Sequence, residues 1–238
     1  GEIVGGALEA ARKNIRIGVT TLELDSLIED YIRSHGGTPS FKGYGRQDNP
    51  FPNAACISIN EIVVHGIPSE RKLEEGDIVS IDVGVYYSGY HSDAARTYAV
   101  GRIDPEKQRL IDVARQSFYT GIEYFGIGNR VRDISSAIQQ YVESNGFHVV
   151  RALVGHGIGK NLHEQPDVPN FGRPGTGVRL ENGMTLAIEP MIAMGTYEVY
   201  EKDDGWAIST RDHSPAAHYE NTVALIDNKP VIFTPGGE

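Results

Sequence analysis

A short pattern occurs twice in this chain. Leu73-Glu74-Glu75-Gly76, with Ile81-Asp82 after it, returns as Leu180-Glu181-Asn182-Gly183, with Ile188-Glu189 after it, at a constant offset of 107 (180−73, 183−76, 189−82). Each copy has an HG element upstream, His65-Gly66-Ile67 and His156-Gly157-Ile158. Each also has a later acidic residue in a strand-like run, Asp93 and Glu220. The repeat implies one duplicated helix-and-hairpin unit, with residues from both halves meeting at a pseudo-twofold axis.

Local signals fill in the units. Thr20 with Glu23 three residues on is a capping box, and the apolar residues Leu24, Leu27, Ile28 and Ile32 follow at helical spacing until Gly36-Gly37. Asp104-Pro105 opens a helix to about Phe125, and a further helix spans about 131–144. Strands are predicted at 56–60, 78–87, 90–100, 147–151, 184–189, 206–210 and 219–226. Residues 38–54 and 164–178, rich in Gly and Pro, read as surface loops. No low-complexity linker divides the 238 residues, so we expect one α+β domain over 1–238.

The acidic residues then pose an electrostatic problem. Asp82, Asp93, Glu189 and Glu220 all lie in apolar or glycine-flanked runs. Converging in one core they would repel, and their pKa values would rise. Ser88-Gly89 reads as a two-residue turn. Pairing outward from it sets Gly84 against Asp93 and places Asp82 on the same face, with Gly84 leaving room for a metal. Taken singly, a strand Asp is an edge or turn residue and a His between glycines a loop residue. Taken as a set with His156, four carboxylates and an imidazole match two divalent cations, of a kind (Mn, Fe(II), Co or Zn) suited to oxygen-rich ligands. A dinuclear hydrolase is the implied chemistry. Gly155 to Lys160 is not a phosphate loop, because the glycine spacing is too short and Asn161 stands where Ser or Thr would bind Mg²⁺.

Composition excludes other classes. The net charge of −10 argues against a broad nucleic-acid surface, so no nucleic-acid substrate is expected. No run is long and apolar enough for a membrane span and no secretory signal is visible, so no membrane partner is expected. The single cysteine, Cys56, fits a reducing compartment, and a cytoplasmic location is expected.

The segments Cys56–Asn60, Val64–Pro68, Ile81–Gly84, Gly155–Gly159, Leu162–Glu164, Ile188–Met191 and Tyr219–Thr222 together resemble the motifs of the type I methionine aminopeptidases, over about residues 5–235. The resemblance implies the pita-bread fold, a pseudo-twofold antiparallel sheet flanked by helices. It implies removal of the initiator methionine from nascent proteins when the second residue is small. By resemblance Asp82 is the bidentate ligand of one metal, Asp93 and Glu220 bridge both, and His156 and Glu189 hold the other. Glu189 is also the implied general base, His163 the contact to the scissile carbonyl, and His65 the partner of the scissile amide. Phe51, Cys56 and Trp206 fall where the family lines its methionine pocket, beside His65. The implied partners are N-terminal Met peptides, nascent polypeptides and, through them, the ribosome, although no docking element is evident.

Two departures bear on the pocket rim. Leu162 stands where bacterial relatives often carry an aromatic. The segment Tyr44–Pro52 is long, with Phe51 where Tyr is common. Two alternatives share the fold: an Xaa-Pro aminopeptidase or prolidase, and a non-catalytic peptide-binding module. Met191 after Pro190 argues against the first, and retention of all five ligands against the second.

Overall fold

The computed structural model describes all 238 residues. Four helices flank the sheets: α1 (Glu2–Asn14), α2 (Thr21–Ser34), α3 (Pro105–Ile122) and α4 (Val131–Ser144). The predicted starts hold in atomic detail. The Thr20 side chain accepts from Glu23 N at 3.1 Å while the Glu23 carboxylate accepts from Thr20 N at 2.7 Å. The Asp104 carboxylate accepts from Glu106 N at 2.8 Å, with Pro105 in the first turn.

The sheet has two halves. In the first, Ile78–Tyr87 and Tyr90–Ala99 form an uninterrupted hairpin, and Cys56–Ile59 and Thr38–Pro39 share the outer edge of the former strand. Ser88 and Gly89 both have positive φ, 51° and 89°, the requirement of a tight hairpin turn matched to strand twist. The register follows as expected: Tyr87 faces Tyr90, Gly84 faces Asp93, and Asp82 faces Ala95. In the second half, strands run in the order 164–169, 154–157, 185–188, 221–226 and 229–232. Each half has its own apolar core. One joins α1 and α2 to the first hairpin through Leu8, Ile28, Ile81 and Val83; the other joins α3 and α4, through Leu110, Ile134, Leu186 and Val223, to a second, interrupted hairpin in which 185–188 and 191–193 pair with 221–224 and 216–218. No helix is long and apolar enough to cross a membrane.

The axis between the halves can be located from hydrogen bonds. Ala95 and Glu220 exchange both backbone bonds (Glu220 N to Ala95 O at 2.9 Å, Ala95 N to Glu220 O at 3.4 Å). On one side, the Thr97 hydroxyl accepts from His218 N at 2.9 Å and donates to His218 O at 2.8 Å. On the other, the Thr222 hydroxyl accepts from Asp93 N and donates to Asp93 O, both at 2.9 Å. The two clasps are equivalent at an offset of 125 (222−97, 218−93, 220−95). The pseudo-twofold axis therefore passes at the Ala95–Glu220 pair.

Two segments differ from expectation. Residues 164–178 are not all loop: Glu164–Pro169 forms an edge strand on Val154–Gly157, with a bulge between Glu164 and Val168. Its two prolines disguise it, and an edge position is where a sheet tolerates them. Residues 38–54 are not a surface loop throughout, because Phe41, Phe51 and Ala54 are buried. The buried Asp25 carboxylate accepts from the backbone N–H of Ala54 and Ala55, each at 2.9 Å, and so fixes the exit of this segment into strand Cys56–Ile59. The strand expected at 147–151 is reduced to His148–Val149, that at 206–210 to Ile208–Thr210, and that at 219–226 begins at Asn221.

Candidate metal centre and its cavity

Asp82, Asp93, His156, Glu189 and Glu220, drawn from five separate stretches of chain, line one cavity of about 120 Å³. Asp82 and Asp93 come from the first hairpin on one face, as its turn dictates. Glu189 and Glu220 stand opposite each other where the second hairpin is interrupted. The ladder pairs Ile188 with Asn221 and Met191 with His218, and both pairs fit one register that would set 189 against 220. Pro190 has no N–H to give, the Glu189 carbonyl accepts from Asn170 Nδ2 at 2.9 Å, and Glu220 spends its backbone on Ala95.

The flanking glycines of His156 serve strand packing, so the histidine is not the loop residue that its glycine neighbours taken singly suggest. His156 lies within strand Val154–Gly157. A Cβ at residue 155 would sit 2.4 Å from Ala187 O, and one at residue 157 would sit 2.3 Å from Gln165 O. Only glycine lets the neighbouring strands approach on both sides. The His156 Nδ1–H is directed to its neighbour Gly157 O at 2.8 Å, which leaves the Nε2 lone pair free, 3.6 Å from Glu189 Oε1. Gly84 is likewise reinterpreted. Its bare face is occupied by Phe41, whose ring edge would lie 2.7 Å from an added Cβ, so it makes room for a cavity wall, not for a metal.

Burial makes this cluster electrostatically unfavourable on its own. Asp82 is raised well above the ordinary carboxylate range by desolvation and then by Asp93; Asp93 is raised to about 6, chiefly by desolvation. Glu189 and Glu220 are raised by desolvation and then by Asp93. Asp82 Oδ1, Asp93 Oδ1 and Glu220 Oε1 are buried without any hydrogen-bond partner. Unsatisfied buried carboxylate oxygens are costly, and several converging on one point fit a divalent cation better than any protein donor present. Asp93, His156 and Glu220 offer ligand atoms within 4.8 Å of one another, as do Asp82, His218 and Glu220.

His218 is the residue the sequence reading missed. It is 2% exposed, neither ring nitrogen has a partner, and Nε2 lies 3.6 Å from Glu220 Oε2 and 3.9 Å from Glu189 Oε2. Burial holds its pKa down to about 3, so the ring is neutral. The repeat contained the signal. Carried through the hairpin register, the offset of 107 maps Gly84 to Met191, and their partners Asp93 and His218 become equivalent. Pairing Asp93 with Glu220 as equivalent acids, as the sequence suggested, is therefore corrected: Glu220 corresponds to Ala95.

The rest of the cavity is a mixture of apolar walls and histidines. Phe41, Tyr44, Phe51 and Trp206 line it together with His65 and His163. Phe51 and Trp206 meet edge to face with ring centroids 5.2 Å apart. Cys56 belongs to the same apolar cluster as Phe51 and Trp206 but is not among the lining residues, so it backs the wall. Leu162 is buried in that cluster too. His65 and Trp206 rings lie 6.4 Å apart, and the His163 and His156 ring centroids lie 4.1 Å apart with the planes tilted by 49°. His65 is lowered by burial; His163 is lowered to about 4 by desolvation and then by His156, His65 and His91. Both rings are neutral near pH 7 and can each present one N–H and one lone pair.

Comparison with known proteins agrees with this picture. The model of "Metallopeptidase family M24" matches residues 1–227. A Clostridium perfringens protein named methionine aminopeptidase is 54% identical over 235 residues, covering 98% of this chain and 92% of its own. Methionine aminopeptidase 1 of Bacillus subtilis is 45% identical over 98% of this chain and 93% of its own. The crystal structure of the Thermotoga maritima methionine aminopeptidase superposes with a TM-score of 0.95 at 45% identity, over 98% of this chain and 92% of that one. A Pyrococcus horikoshii prolidase, at 22% identity and a TM-score of 0.78, shares the fold alone. The expected pita-bread architecture is borne out, and the chain belongs to metallopeptidase family M24.

Proposed function

We propose that this chain is a methionine aminopeptidase that works with two divalent ions and removes N-terminal methionine ahead of a small second residue. The observation that carries the reading is a single small cavity with an acidic floor (Asp82, Asp93, Glu189, Glu220), an imidazole ligand (His156), two neutral histidines and an aromatic wall. Asp82, Asp93, His156, Glu189 and Glu220 would hold the ions. When bound, Mn, Fe(II), Co or Zn would supply charge neutralisation, a more acidic water and Lewis-acid polarisation of a peptide carbonyl.

The protein's own groups account for the remainder. The aromatic wall of Phe41, Phe51 and Trp206 receives an unbranched thioether side chain. Glu189 takes a proton from the attacking water and passes it to the departing amine as the peptide C–N bond breaks. His163 donates a hydrogen bond to the carbonyl oxygen as it gains charge, and His65 bonds the scissile amide. The substrates are Met peptides and nascent chains emerging from the ribosome, in the cytoplasm.

The test is a matrix of metals and peptides. Chelated protein reconstituted separately with Mn²⁺, Fe²⁺, Co²⁺ and Zn²⁺ is given Met-Ala-Ser, Met-Leu-Ser and Ala-Pro-Ala. Methionine release from Met-Ala-Ser, little from Met-Leu-Ser and no cleavage of Ala-Pro-Ala is expected. Cleavage of Ala-Pro-Ala with Met-Ala-Ser untouched would overturn the reading.

A further inference from the structure

Tyr44 lies 119 residues from His163 in sequence, yet its hydroxyl is 2.6 Å from His163 Nδ1, with the two rings 5.1 Å apart. The position of Tyr44 is built by backbone and side chain together. Gly43 N donates to Phe51 O and Phe51 N to Tyr44 O, each at 2.8 Å, so Tyr44 stands at the base of a small hairpin whose strands are 45–46 and 49–50. That hairpin is docked on the cavity wall. Trp206 Nε1 donates to Asn49 O at 3.1 Å, Asn49 Nδ2 donates to Asp204 O at 3.1 Å, and Gly45, with φ of 97°, packs so closely on the indole that a Cβ there would lie 2.4 Å from it. Tyr44 is thus presented to His163 from a fixed platform that also forms the pocket rim.

The chemistry of the pair decides which atom carries the proton. A phenol O–H is a stronger donor than an imidazole N–H, and a bare imidazole nitrogen is a stronger acceptor than a phenol oxygen. A short contact between the two neutral groups therefore runs from Tyr44 O–H to His163 Nδ1. A neutral imidazole has one N–H, so it is then on Nε2. From this geometry we infer that Tyr44 is a positioning residue: its hydroxyl locks His163 in the Nε2–H tautomer and fixes the ring plane, so that the histidine meets the substrate carbonyl as a hydrogen-bond donor. This rests on the peptidase reading for the identity of the acceptor, but the tautomer itself does not.

The experiment uses Tyr44→Phe, which keeps the ring and removes the hydroxyl, and Tyr44→Leu, which removes the ring as well. Nitrogen-15 NMR of the Zn²⁺-loaded protein reads the His163 tautomer directly. Wild type is expected to be almost wholly Nε2–H, and Tyr44→Phe a mixture of both tautomers. With Met-Ala-Ser, Tyr44→Phe is expected to lose kcat by about 10- to 100-fold, the usual cost of removing a group that orients another, with KM little changed. Tyr44→Leu should raise KM as well, because it opens the rim. An Nδ1–H tautomer in wild type, or a Tyr44→Phe protein with unchanged tautomer and kcat, would overturn the inference. Failure of the wild type to release Met would count against the peptidase reading and leave the tautomer result to stand by itself.

Discussion

The two hairpins that meet at the pseudo-twofold axis are built from the same plan and do different work. The first is continuous, ten residue pairs closed by a two-residue turn, and it sets Asp82 and Asp93 at fixed positions on one face. The second keeps its register across Ile188–Asn221 and Met191–His218 but lets go at Glu189 and Glu220, and its strands are joined by a long excursion carrying Trp206. Where the ladder is whole, the backbone determines where the charges are. Where it is broken, backbone groups are satisfied elsewhere, by Asn170 and Ala95, and the freed positions turn Glu189 and Glu220 into the cavity. One half presents its acids from an unbroken ladder, and the other presents them from a gap in an otherwise matching one.

The comparison can be broken most sharply at Glu189. Glu189→Ala is expected to lower kcat for Met-Ala-Ser by roughly 10²- to 10⁴-fold, the range for a lost general acid–base group. Without metal the same variant should melt higher than wild type, because it deletes a buried acid. Activity within a few-fold of wild type would remove Glu189 from its role. Next come the cores. Ile81 and Ile188, equivalent at the offset of 107 and both fully buried, should each cost roughly 2–5 kcal/mol when changed to Ala, measured by denaturant unfolding. A loss confined to one half would mean that only one hairpin is a structural platform.

How far the sequence carries this account depends on the range of the interaction. The first hairpin was legible because Ser88-Gly89 determines its register locally, and the caps at Thr20 and Asp104 were legible for the same reason. The four acids that line the cavity were legible as charges without a local reason to be buried, and His156 as an imidazole between glycines. His218 was hidden because the symmetry conserves its place and not its chemistry: an imidazole stands where the other half has Asp93. The burial of Phe41 and Phe51 was hidden by the Gly, Pro and Asn residues around them, and the role of Tyr44 by a partner 119 residues away. The strand Glu164–Pro169 was hidden by prolines that an edge allows.

Smaller effects sharpen the division of labour. Trp206→Ala should reduce kcat/KM for Met-Ala-Ser by roughly 10- to 200-fold, the worth of lost apolar pocket contact. It should leave metal binding intact, since the indole touches the rim hairpin and not the acids; weakened metal binding would erase the distinction. His218→Leu should weaken Co²⁺ affinity by about 10- to 100-fold in a calorimetric titration, as expected for a group that orients or joins the ligand set. An unchanged affinity would reduce His218 to packing.

The central claim, that both halves converge on one metal centre, is tested most directly by titrating chelated protein with Mn²⁺ or Co²⁺ and following heat and melting temperature at several pH values. In the chelated protein Asp93 is raised to about 6 from an ordinary 3.8. Its contribution to stability is therefore full below the ordinary value and lost as pH rises through about 6. Metal binding requires the ionised form, so the gain in melting temperature on adding metal should grow from pH 5.5 to pH 7.5. The lowered His163 and His218 stay neutral across that window with or without metal and cancel in the difference. Two ions bound per chain and a stabilisation that increases with pH are expected; no bound ion, or a stabilisation that falls as pH rises, would mean that the halves do not share a metal centre.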